Sequence, residues 1–206
     1  MATITTRTTQ LECINTMLST IGEAPINSIT GTSLPTDASM AINILNEVNR
    51  EVQSAGWKFN SSWKVSLNRD VNNKLVIGTD VLHIDFDYLR ESQASYDPIM
   101  RGNYLYNLAK ESFIWDKDFE YVNVIYLIDF ESIPEQARRY ITIRASRIFH
   151  DRTLGSSTIH KFSMQDEFNS LAVLKQTEAD TANHSIFDSL DQNQIINRNT
   201  GIKYSS

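Results

Sequence analysis

The chain predicts an α+β protein: a discontinuous four-helix bundle with an inserted small antiparallel β-rich domain and an extended C-terminal arm. Three observations lead there. Apolar residues recur at steps of three and four near both ends of the chain, the mark of amphipathic helices. In the middle they alternate with polar residues, the mark of half-buried strands. From residue 185 onward they thin out. The expected parts are residues 1–56 for two helices, 57–130 for the insertion, 131–184 for two more helices and 185–206 for the arm.

The first helix carries Leu11, Ile14, Leu18 and Ile21 on one face. Thr8 or Thr9 is placed to cap its start, and Gly22 followed by Pro25 stops it. The second follows a Gly/Pro/Ser-rich loop, with Thr36 or Asp37 as its cap. Its inner stripe is Ala38, Ala41, Leu45, Val48, Val52 and Ala55, and Gly56 ends it.

From Trp57 the period shortens to two. Trp63, Val65 and Leu67 form one alternating set, and Leu82, Ile84, Phe86 and Tyr88 another. Arg101-Gly102-Asn103 lies between two short apolar runs and suits a hairpin turn. Val122, Val124 and Tyr126 mark a more buried strand. Helix returns after Ser132, the expected cap, with Pro134 and Glu135 at its start and Ala137, Ile141, Ala145 and Ile148 inward. A fourth helix runs from about His160 to Ala182, with Met164, Phe168, Leu171 and Ala172 inward. Two helices on each side of the insertion must pack together, because each stripe alone would remain in water.

The 206 residues include 41% hydrophobic residues, with Phe 9, Tyr 8 and Trp 3, enough to build a core. The net charge of -6 argues against tight DNA binding and suits a surface that DNA passes without sticking. The one cysteine, Cys13, excludes an intrachain disulfide and reads as a small buried hydrophobe. No apolar run is long enough to span a membrane, and the N-terminus lacks a signal peptide's apolar core. Synthesis in the host cytoplasm is expected.

Two runs carry a family resemblance. One is Leu18-Ser19-Thr20-Ile21-Gly22-Glu23-Ala24-Pro25-Ile26, followed by Ala41 to Asn46 and then Asn49 to Asn60 with its Ala55-Gly56-Trp57 turn. The other is Ile133-Pro134-Glu135, followed by Ala145-Ser146-Arg147, Phe149 and Gly155. Together they resemble the tail tubular protein A family of short-tailed phages, from about Leu11 to Ala182, weakly in the β block and not in the arm.

The resemblance implies a structural, non-enzymatic virion protein with no cofactor. It would form a dodecameric ring below the portal protein at one vertex, with the nozzle protein (tail tubular protein B) beneath it. Tail fibres would attach at that junction, and DNA would pass through without sequence-specific binding. The alternatives are a virion-associated glycan hydrolase and another head-completion protein.

Arg138, Arg139, Arg144, Arg147 and Arg152 make the third helix the one basic segment of an acidic chain. Their planar forks suit carboxylates of a neighbouring subunit or the portal, and local pairing with Glu135 or Asp151 is the plainer reading. The first four are the candidate interface residues, Arg147 foremost because it stands in Ala-Ser-Arg. In the arm, Phe187, Leu190, Ile195 and Ile196 are spaced apolar anchors for portal contact, as C-terminal extensions of related adaptors suggest. Trp57 and Phe59 read as core at the joint of the two parts. His83, Asp85 and Asp87 share a strand face that reads as the wet side of a half-buried strand. Asp116, Asp118 and Glu120 beside Trp115 resemble a hydrolytic cluster, but a charged turn is the preferred reading. No phosphate loop, nucleophile elbow or zinc pattern is present.

Overall fold

The computed structural model describes residues 6–31, 33–86, 96–155 and 157–181, the side chains of 157–163 and 181 excepted. The fold is mixed α+β, with four helices and two small antiparallel sheets among the described residues. The expected arm, with Phe187, Leu190, Ile195 and Ile196, lies outside them, as do Asp87 and Tyr88.

Helix α1 (Gln10–Thr20) begins in a reciprocal cap: Glu12 N donates to Thr9 Oγ1 at 3.2 Å, and Thr9 N donates to Glu12 Oε2 at 2.7 Å. It ends in a Schellman turn. Glu23 N bonds Leu18 O and Gly22 N bonds Ser19 O, with Gly22 at φ 81°, where a side chain would be strained. Helix α2 (Thr36–Gln53) is capped by Pro35, not by Thr36 or Asp37. Those two residues already belong to the first turn, where the Asp37 carboxylate complements the helix dipole. Ala38, Ala41, Leu45, Val48 and Val52 are buried as their spacing predicts, whereas Ala55 lies past the helix end and is exposed.

Five strands follow: β1 (Ser61–Leu67), β2 (Val81–Phe86), β3 (Pro98–Arg101), β4 (Tyr104–Asn107) and β5 (Phe119–Tyr126). The larger sheet has the order β1-β5-β2, all antiparallel. β5 takes the centre because Phe119, Val122 and Val124 fill one face while both its edges find partners. The β1 register slips around Lys64, which sits at φ 67°. β3 and β4 form the expected hairpin, closing with Arg101 opposite Tyr104 around Gly102 and Asn103. The Trp115 ring, 1% exposed, meets Phe86 and Phe119 edge-on and donates its N–H to Leu105 O at 3.1 Å.

Helix α3 (Glu135–Thr153) starts after Pro134. Ser132 is not its cap, because residues Phe130–Ser132 wind into a 3-10 turn that ends before the helix. Helix α4 (Ser157–Thr181) starts earlier than its apolar spacing suggests. Its inner face also differs from expectation. Leu174 is buried and Leu171 packs beside it, but Met164 and Phe168 are 53% and 67% exposed, and Ala172 is exposed too. Glu167, reaching back to arginines on α3, helps set the rotation of α4.

Two hydrophobic clusters result. One lies among the helices and the other within the strand block. Trp57 and Phe59 pack on the helical cluster, as expected of a joint, and Trp57 Nε1 donates to Val52 O at 2.7 Å. Asn60, 2% exposed, ties the joint further: its Nδ2 donates to Gln53 O and Tyr126 O, each at 2.8 Å.

Candidate interaction surface

The arginine row of α3 divides by helical position. Arg138 points inward and is 3% exposed. It donates to Ile133 O at 3.0 Å, to Thr8 O at 2.7 Å and to Glu131 O. Three backbone carbonyls thus absorb its charge, and it pins the N-terminal segment and the 3-10 turn to α3. Glu135, one helical turn earlier, holds Thr8 from its other side by accepting from the Thr8 amide and hydroxyl.

Arg144 and Arg147 occupy the seam between α2, α3 and α4. Arg144 Nη2 lies 2.6 Å from Glu51 Oε1 on α2, and its Nη1 lies 2.6 Å from Glu167 Oε1 on α4. Arg147 Nε pairs with the other oxygen of Glu167, and its Nη1 reaches Asp151 Oδ2 at 3.2 Å. Glu167 therefore bridges two guanidinium groups. Burial works to raise the Glu167 pKa, but the hydrogen bonds from Arg147 and Arg144 outweigh it and hold the carboxyl below its ordinary value. Arg152 makes a two-pronged pair with Glu47 of α2, both contacts at 3.0 Å.

Arg139 enters none of these pairs. It is exposed and lines a groove of about 460 Å³ between α3 and α4, with Ile143, Asp166, Ser170 and Val173. Of the four candidate arginines, it alone faces outward with its fork uncommitted among the described residues. The structure thus brings Arg144 and Arg147 to one seam, buries Arg138 and leaves Arg139 exposed, lining with Arg147 a small pocket beside α1.

The acidic candidates are held in turns. Asp116 accepts from Tyr96 Oη and Lys110 Nζ, each at 2.7 Å. Those bonds, that of Lys110 first, pull its pKa down to about 2, so it holds no proton to donate near neutrality. Asp118 accepts from the Arg69 backbone N–H and Nε, both at 2.9 Å. His83 is exposed at the strand face, and the Asp85 carboxylate accepts from Phe86 N. No group of His, Cys, Asp and Glu among the described residues is arranged to hold a metal ion. No helix among them is long and apolar enough to cross a membrane.

Sequence reasoning found the arginine row but missed its partners Glu47, Glu51 and Glu167, which lie far away in the chain. Glu167 stands four residues before Leu171 and seven before Leu174, a helical-face spacing that carried the signal.

A family model described as "Tube: Tail tubular protein" matches residues 11–184. No curated protein matches the chain.

Proposed function

The chain belongs to the tail tubular protein family, structural components of the phage virion tail, and on that premise we propose that it is the head-to-tail adaptor. In this reading, copies form a dodecameric ring that joins the portal protein to the nozzle protein, with tail fibres at the junction. The ring closes the head after packaging and extends the DNA channel. The observation that carries the reading is the extent of the family match, which runs from the first helix to past the last described one. The net charge of -6 agrees with a conduit that DNA passes freely.

The working parts follow the proposed division. Residues 1–56 with 131–184 make the helical unit, 57–130 project from it, and 185–206 reach out as an arm. Arg139 meets an acidic group on a neighbouring chain. Arg144 and Arg147 hold α4 against α2 and α3. Phe187, Leu190, Ile195 and Ile196 anchor the arm on the portal.

The test is electron microscopy of portal-bearing, tail-less heads mixed with this protein. A ring of added density at the single portal vertex is the expected result. Competent heads and folded protein that yield no such density would exclude the adaptor role.

A further inference from the structure

The groove beside Arg139 continues along the helices. On α4 its lining residues Asp166, Asn169 and Val173 recur at steps of three and four. The next step, Thr177, lines a second hollow of about 230 Å³ with Phe59, Pro134 and Leu174. Gln136 of α3 borders both, so the two make one trough along the α3–α4 seam. From Asp166 to Thr177 it is about 16 Å long at the helical rise per residue. Its walls are largely apolar. Val173 is 56% exposed on one side, and Ile143 is half-buried on the other. The acids Glu135 and Glu178 already accept from Thr8 and from the Lys58 amide, and Arg139 and Asp166 offset each other. An apolar side chain laid in this trough would remove its walls from water.

Position and length point to the occupant. Thr181, the last described residue, stands one helical turn beyond Thr177, at the mouth of the trough. The chain continues from there through residues 182–206, outside the described ones. In the sequence, the first large apolar residues after Thr181 are Ile186, Phe187 and Leu190, beyond Asn183, His184 and Ser185. Val173 lies about 12 Å back along α4 from Thr181. The chain from Thr181 to Ile186 spans up to about 16 Å. Ile186 therefore reaches Val173, and Phe187 and Leu190 reach the stretch beyond it. A tethered segment acts at an effective concentration on the order of millimolar, so it fills the trough ahead of a second copy or a free partner of equal fit.

We propose that the α3–α4 trough is the seat of this chain's own arm, with Ile186, Phe187 and Leu190 lying in it while the chain is free. The seated arm covers Val173 and Arg139. On the adaptor reading above, the portal draws the same arm away and uncovers that face for the neighbouring chain. Only this release step rests on that reading; the seat does not.

The test is made on the isolated full chain. Val173→Cys places a thiol on the trough wall, and Ala172→Cys places one at an exposed position outside it. Each is prepared with the arm unchanged and with Phe187→Ser/Leu190→Ser. Labelling by a chromogenic thiol reagent is timed, with the buried Cys13 as the slow background. With the arm unchanged, Val173→Cys is expected to react at least about tenfold more slowly than in the arm variant. Ala172→Cys is expected to react equally fast in both. Equal rates at Val173→Cys, fast or slow, overturn the seat. A slowing shared by Ala172→Cys also overturns it, because the arm would then cover no particular face. Protection that grows with chain concentration overturns it too and assigns the trough to a second copy. None of these rates involves heads. If wild type forms no ring on portal-bearing heads, the release step falls with the adaptor reading, and the labelling still judges the seat.

Discussion

Gln53 and Ile128 pair like two residues of a β-ladder. Ile128 N donates to Gln53 Oε1, and Gln53 Nε2 donates to Ile128 O, each at 2.8 Å. A side-chain amide at the end of α2 thereby stands in for a peptide group and holds the segment that leads from β5 back to the helices. Gln53 is wholly buried, so no water competes for these bonds. Gln53→Leu keeps the volume but leaves the Ile128 N–H and C=O unpaired. Its expected cost is about 2–4 kcal/mol in urea denaturation. A change below about 0.5 kcal/mol would mean that the backbone of Ile128 finds other partners.

Arg138 and Arg139 are neighbours in sequence with opposite duties. Arg138→Met strips three backbone carbonyls of their donor and is expected to destabilise the isolated chain by about 2–4 kcal/mol. Arg139→Ala removes an exposed fork and is expected to move stability by no more than about 0.5 kcal/mol while lowering ring occupancy on heads. Parallel denaturation curves and micrographs of the two variants check both. Equal stability losses would contradict this division of labour.

The bridge at Glu167 predicts a pH dependence. Its folded pKa lies below the ordinary 4.5, so its contribution is fully present above that pH and lost as the pH falls through the folded value. Glu167→Gln is therefore expected to be less stable than wild type by roughly 1–2 kcal/mol at pH 7. The gap should close in acid, below the folded pKa. Urea midpoints of both proteins from pH 7 to pH 3 test this, and a gap that stays constant in acid would remove Glu167 as its source.

Cys13 is fully buried, and its Sγ lies 2.8 Å from Thr142 Oγ1. Burial pushes its thiol pKa up to about 11. At pH 8 roughly one molecule in a thousand then carries the thiolate, the reactive form. A chromogenic thiol reagent should therefore titrate no cysteine in the native protein within minutes and one per chain in denaturant. Prompt native labelling would show that α1 opens readily from α3.

Much of this architecture was legible in the sequence because its signals are local. The three-four spacing of Ala38, Ala41, Leu45 and Val48 needs only the helical period to declare a face. The hairpin at Gly102-Asn103 follows from turn chemistry between two apolar runs, and the stop at Gly22 from the left-handed turn that a glycine accepts. The arginine row of α3 was visible for the same reason.

What those residues touch was settled by tertiary structure. Nothing near Arg144 in the chain names Glu51 or Glu167, and nothing near Gln53 names Ile128. The outward rotation of Met164 and Phe168 shows the limit of periodicity. α4 offers apolar residues on more than one side, and its face was decided by the charged and apolar groups that α3 presents to it. The central place of β5, the last strand in sequence, has the same origin. Helical and strand periods are properties of a few adjacent residues, whereas pairing is a property of distances that exist only after the chain has folded.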